Sequence, residues 1–350
     1  MIPAIGQAQT PLVPTPAAEY EGRVHPRAGS RWQMRFFERT RTVETRDMIS
    51  FSDVPERNGK PAQQSSRRTP VETETVLMQR LTADWLVLEA APDRIRVRVT
   101  IRDFSVNVRQ SASGYLLGVK RNQQLALATG RVGRALNGAS FVFVQVANGH
   151  IEKFDEWTTL QNRLKRALQT IPSAQHAPVE QFFQNNFTFA RWKERLQNAA
   201  IAAPSGQKIE VGQNWSVARP WPVDWEANFG DRGLLSKQAP LTATRILMAR
   251  DAGAATIDER TPLHFDTSAD AAKPRKDAAL YTVKIDGEEN RHVTIAENSG
   301  WAKSATAKEH TQIEWRIYTF DKKGQGGLVE RIPSTQDIES QWILEPQLSP

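Results

Sequence analysis

The pattern of apolar and polar positions is most regular between Arg94 and Val108. Apolar β-branched residues occupy every second position from Ile95 to Ile101, and arginine or threonine stands between them. A period of two predicts a β-strand with one face on the core and the other in solvent. The apolar set then slips by one position at Asp103 and Phe104. One extra residue of this kind predicts a β-bulge, and so a long, bent antiparallel strand.

Similar segments, rich in β-branched and aromatic residues, predict two groups of strands. The first group comprises 31–46, 71–81, 85–90, 94–108 and 140–147, with 116–119 and 124–128 assigned as continuations of the same sheet. The second group comprises 209–217, 241–249, 256–265, 280–285, 291–296 and 311–320. A hairpin is predicted at Asn148 and Gly149, and another at Asp286 and Gly287, because these residue pairs favour tight turns.

The period changes to three or four in the middle of the chain. From Trp157 to Ile171 the apolar residues fall on one stripe, which predicts an amphipathic helix that Pro172 ends. Pro178 suits the first turn of a second helix, running to about Ala200. Its predicted buried residues are Val179, Phe182, Phe183, Trp192 and Leu196.

These elements predict a mainly β (α+β) fold. We expect two antiparallel, bulged sheets or half-barrels joined by a central amphipathic helical pair. The predicted organisation is a disordered tail at 1–19, an N-terminal β region at 20–150, a helical block at 151–203 and a C-terminal β region at 204–345.

Composition adds a charge asymmetry to this picture. The 350 residues carry a formal net charge of +7. Residues 1–150 hold 21 Lys+Arg against 13 Asp+Glu, and residues 151–350 hold 25 against 26. The excess is almost all arginine, which suits phosphate and carboxylate partners. No aromatic interleaving or nucleic-acid fold signature accompanies it, so a nucleic-acid partner is disfavoured.

Candidate chemistry is sparse. The chain has no cysteine, which excludes disulfides, thiol nucleophiles, thiolate zinc sites and iron–sulfur clusters. The six histidines are scattered without metal-ligand spacing, and no nucleophile elbow, phosphate-binding loop or dinucleotide fingerprint occurs. We therefore predict no cofactor, no metal and no catalytic residue.

The amino terminus suggests export. Gly6, Gln7 and Ala8 have the small-x-small form of a signal-peptidase site, although a basic region and an apolar region are missing before them. We expect a periplasmic or extracellular protein whose signal peptide is absent or truncated in this chain. No apolar run approaches the roughly 18 residues of a membrane span.

Two short motifs resemble a known pattern. The first is Ile209-Glu210-Val211-Gly212-Gln213-Asn214-Trp215, close to V-x-V-G-x-x-W, after a central helical region. The second is Phe320-Asp321 followed by glycines at 324 and 326, where the pattern has glycine at 325. The order of these motifs resembles an uncharacterised family of bacterial exported proteins. The resemblance implies an envelope location and a β-rich fold, and it carries over no catalytic residues.

Three functional hypotheses follow. The leading one is a non-enzymatic exported envelope protein with a binding or structural role, enclosing an apolar or amphiphilic ligand between sheet and helices. Its partner is that small molecule or another envelope protein. The candidate ligand-binding residues are Trp215, Trp221, Trp225, Phe182, Phe183 and Trp192.

The first alternative is binding of an anionic polymer or surface. The residues Arg94, Arg96, Arg98 and Arg102 are predicted to share one sheet face, and they would carry it. The second alternative is a glycan-active enzyme with dispersed carboxylates near Trp221 and Trp225.

Overall fold

The structure of the chain is a computed structural model. It describes residues 19–20, 22–53, 64–112, 117–187, 192–193, 196, 207–219, 241–251, 253–266, 279–320 and 326–347. The predicted tail at 1–19 lies outside these residues except for Glu19. Trp221 and Trp225 also lie outside them.

Strands dominate the described residues. They are β1 (Glu19–Tyr20), β2 (Arg31–Asp53), β3 (Gln64–Ala90), β4 (Arg94–Ala112), β5 (Ser140–Val146), β6 (Ile151–Asp155), β7 (Ile209–Glu210), β8 (Asn214–Arg219), β9 (Leu241–Asp251), β10 (Ala254–Asp266), β11 (Ala279–Ala296), β12 (Trp301–Phe320) and β13 (Gly326–Pro346). The helices are α1 (Leu117–Arg134), α2 (Trp157–Leu168) and α3 (Ser173–Asn186). The prediction of a mainly β fold with few helices is confirmed.

The two predicted sheets are one sheet. Eleven strands are paired antiparallel in the order β6-β5-β4-β3-β2-β13-β12-β11-β10-β9-β8, and β1 pairs separately with β7. The first and last long strands of the chain, β2 and β13, pair over thirteen residues from Trp32 to Glu44. This pairing, rather than the helical pair, joins the N-terminal and C-terminal halves.

The sheet curls so that distant strands meet on its inner face. Trp85 on β3 and Trp301 on β12 are three strands apart in the sheet, yet their ring centroids lie 5.4 Å apart. Three strand spacings in a flat sheet would be about 14 Å. Trp32 and Trp342 join the same buried cluster, which forms the base of the interior.

A short segment closes the base from outside the sheet. The Val24 amide donates to the Ala147 carbonyl at 3.1 Å, and the His25 amide donates to the Ser299 carbonyl at 2.8 Å. Gly300 is required at this crossing, because a Cβ there would lie 1.7 Å from the Arg23 carbonyl oxygen and its φ is +71°. The segment therefore links the β5–β6 turn to the β11–β12 turn.

The helices pack on the inner face of the N-terminal half. Helix α1 lies against β4, where Gly133 makes room for the Phe104 ring. Helix α2 lies against β5, and Trp157 contacts Phe141 with ring centroids 5.5 Å apart. No helix in the described ranges is long and apolar enough to cross a membrane.

Several local predictions are confirmed. The β3–β4 register shifts between Thr82 and Ala83, which leaves Arg102 as the extra residue of the predicted bulge. The hairpin at Asn148 and Gly149 joins β5 to β6, and α2 follows the predicted apolar stripe.

Other local predictions are wrong. Residues 117–134 form α1 instead of strands, and 151–155 form β6 at the start of the predicted helical block. The second helix begins at Ser173, so Pro178 lies inside it. The predicted turn at Asp286 and Gly287 is absent because β11 runs straight through it; Gly287 serves a close approach to β12, where a Cβ would lie 2.1 Å from the His310 carbonyl oxygen.

Candidate functional site

Five charged side chains of the described residues, four buried and one of intermediate exposure (Arg245), contact one another on the inner face of the C-terminal half. We call them the arginine–glutamate cluster: Arg219 on β8, Arg245 on β9, Glu259 on β10, and Glu289 and Arg291 on β11. Strand alternation places them inward, since Glu259 follows the buried Ile257 by two positions and Arg291 precedes the buried Val293 by two. Adjacent register then aligns Arg245 with Glu259 and Glu259 with Arg291.

Glu259 is the centre of the cluster. Its side chain is 0% exposed. Its Oε1 accepts hydrogen bonds from Arg219 Nη1 at 2.8 Å and Arg291 Nη1 at 3.2 Å, and its Oε2 accepts one from Arg245 Nε at 2.6 Å. Three guanidinium groups from three strands therefore share one carboxylate.

Glu289 completes the cluster on β11. Its Oε2 accepts a hydrogen bond from Arg219 Nη1 at 2.6 Å, and Thr261 Oγ1 accepts another from the same nitrogen at 3.1 Å. Arg291 Nε lies 3.2 Å from Glu289 Oε1, but the angle is unsuitable for a hydrogen bond. Among the described residues, this buried Nε has no hydrogen-bond partner.

The charges inside the cluster shift its pKa values. Burial alone would raise the pKa of Glu259, but the positive charges of Arg291, Arg245 and Arg219 outweigh it and lower that pKa to about 2. Burial lowers the pKa of Arg245, against the attraction of Glu259. Guanidinium groups still remain protonated in proteins, so the cluster holds three positive and two negative charges.

The cluster separates two apolar zones of the inner face. On β10, the buried Ala255 and Ile257 lie on the base side, and Leu263 and Phe265 lie on the far side. The same order holds on β11, where Val283 and Ile285 form a second apolar cluster. Phe265, Ile313 and Trp315 pack against that second cluster and are partly buried.

A polar row continues from the cluster across the sheet. Successive strands align Arg291 with Ala307, Ala307 with Ser340, and Ser340 with Glu38. Glu38 is aligned with Gln79, whose Nε2 donates a hydrogen bond to Glu38 Oε1 at 3.1 Å. This level of the inner face is therefore polar from β9 to β3 on every strand except β12, where it holds Ala307.

Beyond this polar row, the inner face carries apolar side chains that are only half-buried. Leu77 on β3 and Val108 on β4 are direct neighbours there, and Ile338 on β13 is aligned with the same row through Thr40. On β12, Ile313, Trp315 and Ile317 have the same intermediate exposure. This region, which we call the far inner face, also carries polar side chains, since a row aligned across four strands separates the two apolar groups: Thr75, Thr42, Gln336 and Thr311.

The predicted aromatic site residues lie in two places. Phe183 and Trp192 are buried in the core against the helical side of the sheet, and Phe182 is partly buried beside them. Trp215 is buried on β8 and is the cross-strand neighbour of Arg245. Of the described aromatic candidates, Trp215 is therefore the one placed next to the arginine–glutamate cluster.

The predicted arginine face exists on the outer side of β4. Arg94 and Arg98 are exposed. Arg96 pairs with Glu89 at 2.6 Å and lies 3.7 Å from Asp155, and Arg102 pairs with Asp84. Two of the four charges are thus offset by acids on the same surface.

The outer face of β2, β13, β12 and β11 holds a cavity of 330 Å³. The side chains that line it include both acids and bases, and these pair with each other. Arg41 Nη1 lies 3.5 Å from Asp337 Oδ2, and His310 Nδ1 lies 2.7 Å from Asp337 Oδ1. In the described ranges, no group of three or more His, Asp or Glu residues is arranged to hold a metal ion. The cavity is best explained as a solvated, ion-paired surface.

Sequence reasoning missed the arginine–glutamate cluster. The sequence did contain a signal for it. Within strands whose apolar residues alternate, four charged residues occupy positions that face the core: Arg219, Glu259, Glu289 and Arg291. Charged residues at core positions are rare unless they are paired. On β11 the predicted hairpin at Asp286 led to a different interpretation. Carboxylates are common at turns, so Glu289 was assigned to the turn and not to the core.

Comparisons with known proteins identify no family for this chain and only distant structural similarity. No protein-family model and no curated protein matches the chain, so the resemblance to a bacterial exported family stays a prediction. Among solved structures, 93% of the chain is similar to part of lipovitellin, from work on lipid–protein interactions in that protein, with 11% identity and a TM-score of 0.39. The chain spans 26% of that lipovitellin chain.

A second solved structure is the Pseudomonas aeruginosa protein OpdQ. The similarity covers 91% of this chain and 98% of OpdQ, with 6% identity and a TM-score of 0.13. Neither likeness is close enough to carry an argument about function.

Proposed function

We propose that this protein is a non-enzymatic exported envelope protein that encloses an apolar or amphiphilic ligand on the inner face of its curled sheet. The observation that carries the proposal is the far inner face, where half-buried apolar side chains from β3, β4, β12 and β13 lie beyond a polar row. Half-buried apolar side chains on a concave face can line the site of an apolar ligand, and the polar residues among them can fix its orientation.

The length of the strands supports the proposal. Strand β3 has 27 residues and β2 has 23, against the usual five or six. The packed base uses only part of these strands, since the buried core on β3 extends from Leu81 to Val87. A ligand bound along the remaining length would gain roughly 25 cal/mol for each Å² of apolar surface removed from water.

Ligand binding is tested with a neutral apolar fluorophore, N-phenyl-1-naphthylamine, titrated into the purified protein. Ile313→Glu places a charge on the far inner face and should abolish the fluorescence increase. Gln312→Glu places the same charge on the exposed outer face of the same strand and should leave the increase unchanged. No increase with the wild-type protein, or equal effects of both variants, would overturn the proposal.

The export part of the proposal rests on Gly6, Gln7 and Ala8 and on the family resemblance. It is tested by fractionating cells that express the protein from its own gene and locating it with an antibody. A protein found wholly in the cytosolic fraction would contradict export without affecting ligand binding.

A further inference from the structure

We infer that the outer face of the sheet docks on an anionic lipid bilayer through three exposed arginines, Arg31 on β2 and Arg94 and Arg98 on β4. We call them the docking arginines. They lie on the opposite face of the sheet from the far inner face, but the choice of a lipid surface rests on the proposed function. A protein that encloses an apolar or amphiphilic molecule meets that molecule in a membrane, where such molecules partition.

The docking arginines have no acid partner in the described part of the chain, whereas their neighbours do. Asp93 precedes Arg94 in the β3–β4 turn and offsets one of the three charges. The docking arginines therefore leave a surplus of two positive charges at the surface. The other arginines at this end of the face pair with acids: Arg35 with Glu345, Arg96 with Glu89 and Asp155, and Arg102 with Asp84.

Apolar side chains lie between and beneath the docking arginines. Leu86 on β3 is the cross-strand neighbour of both Arg31 and Arg98, and it is half-buried between them. Arg98 is also aligned with Val142 on β5. Val142 belongs to the outer face but is only 1% exposed, which agrees with an arginine stem lying over it while the guanidinium stays in water. Basic groups above apolar side chains suit the boundary between lipid head groups and acyl chains.

The spacing of the docking arginines suits a surface that carries many phosphates. Arg94 and Arg98 are four residues apart on one strand, which is about 13 Å, and Arg98 and Arg31 are two strands apart, which is about 10 Å. Each guanidinium can bind phosphate oxygens in a bidentate manner. Separate phosphates of a bilayer can therefore reach all three arginines at once.

A nucleic acid fits the same surface less well. Phe37 is the aromatic residue on the outer face of β2, and the guanidinium of Arg80 lies over its ring at 5.7 Å from the centroid. That ring is therefore not free to stack on a base, which single-stranded nucleic acids require of their binding proteins. Among the two anionic partners, the surface favours the bilayer.

Vesicle flotation of the full chain tests the inference. The two vesicles consist of phosphatidylcholine alone and of equal parts of phosphatidylcholine and phosphatidylglycerol. We expect the wild-type protein to bind the anionic vesicles at least ten-fold more tightly at about 0.05 M salt. It should lose most of that preference at about 0.5 M salt, because salt screens exposed charges.

A triple variant removes the docking arginines: Arg31→Gln, Arg94→Gln and Arg98→Gln. It should bind the anionic vesicles at least ten-fold more weakly, since each basic residue near an anionic membrane contributes roughly five-fold. The matched control removes three exposed basic residues from β10 and β12, so it loses the same net charge and should keep most of the binding. Its substitutions are Arg260→Gln, Lys303→Gln and Lys308→Gln.

Three results would overturn the inference. The first is equal binding of the wild-type protein to both vesicles, and the second is an equal loss in the two triple variants. The third is binding to a duplex DNA of mixed sequence that is as tight as binding to the anionic vesicles and is lost in the same variant. The comparison of vesicles with the wild-type protein decides the inference even if a variant does not fold, which a melting curve of each variant shows.

Titration with N-phenyl-1-naphthylamine separates the inference from the proposed function. The variant without the docking arginines should bind the fluorophore as the wild type does. If the wild-type protein binds the fluorophore but prefers neither vesicle, the inference is overturned and the proposed function stands. If it prefers the anionic vesicles but does not bind the fluorophore, the proposed function is overturned and docking stands.

Discussion

Trp301 Nε1 donates a hydrogen bond of 3.0 Å to Gln145 Oε1, although the two residues lie five strands apart in the sheet. Five strand spacings in a flat sheet would be about 24 Å. The amide of Gln145 is held in turn, since its Nε2 donates to the Gly149 carbonyl at 2.9 Å. This buried bond fixes the curl that brings the two halves of the sheet together at the base.

We predict that Trp301→Phe destabilises the protein more than Trp342→Phe does. Both tryptophans are buried in the same aromatic cluster, but Trp342 Nε1 has no hydrogen-bond partner in the described part of the chain. The first substitution leaves Gln145 Oε1 buried without its donor, which costs about 1–3 kcal/mol, and the second removes an unpaired donor. Urea unfolding of both variants measures the difference; equal losses would mean that the bond contributes nothing to the curl.

The arginine–glutamate cluster yields a second prediction. Glu259→Gln should lower the free energy of unfolding by about 3–5 kcal/mol, because it removes the carboxylate that three buried guanidinium groups share. Glu288→Gln is the matched control on β11, since Glu288 points outward to Arg260 on an exposed surface. We expect the control to unfold nearly as the wild type does. A similar small effect of both substitutions would show that the cluster is accessible to water.

We predict that acidic pH lowers the free energy of unfolding through the same carboxylate, that of Glu259. The pKa of Glu259 is about 2 in the folded protein, against an ordinary value of 4.5. The stabilisation is therefore complete above pH 4.5 and is lost as the pH falls from 4.5 towards 2, because the unfolded chain takes up a proton that folded Glu259 refuses. The shift corresponds to about 3 kcal/mol.

This loss is measured by urea unfolding between pH 5.5 and pH 2, with Glu259→Gln beside the wild type. The stability difference between the two proteins should shrink as the pH falls through that range. A difference that stays constant with pH would show that Glu259 titrates normally in the fold.

The sequence was a reliable guide wherever one face of an element is buried and the other is solvated. The alternation on β4 predicted which residues face the core, and its slip at Asp103 and Phe104 predicted the bulge that the structure has one residue earlier, at Arg102. The apolar stripe on α2 was equally informative. In these elements the local period is set directly by burial, so no knowledge of the neighbours is needed.

The sequence-based predictions were wrong where the structural role of a residue depends on contacts with elements distant in the sequence. Leu125 and Leu127 alternate like a strand, but Leu127 is 72% exposed, and the buried residues of this region are four apart at Ala128, Val132 and Leu136. Gly287 has the composition of a turn, yet it serves contact with β12. Turn chemistry and close approach both select glycine, and only the paired strand distinguishes them.

The candidate site was only partly predictable for the same reason. Alternation places Glu259 inward, but the convergence of three arginines on it depends on the registers of β8, β9, β10 and β11. Those registers come from long-range pairing. The arginine surface from Arg94 to Arg102 can be predicted from the alternation of one strand, whereas predicting the cluster requires the registers of four strands.

The packing of α1 on β4 gives the last prediction, a pair of identical substitutions three residues apart. A Cβ on Gly133 would lie 2.7 Å from Cδ1 of Phe104, a ring that is buried in the core. Gly133→Ala must therefore displace the helix or the ring, and we expect a loss of about 1–3 kcal/mol. A Cβ on Gly130 would lie 3.7 Å from its nearest neighbour, the Val106 carbonyl oxygen.

Gly130→Ala should for that reason leave stability unchanged or raise it by up to about 1 kcal/mol, since alanine favours a helix over glycine. Thermal unfolding of the two variants gives the sign of each effect. Opposite signs would establish that α1 packs closely on β4 at Gly133 and loosely one turn earlier. A gain in stability from both substitutions would instead mean that α1 stands away from the sheet, and the inner face of β4 would then be open along its whole length.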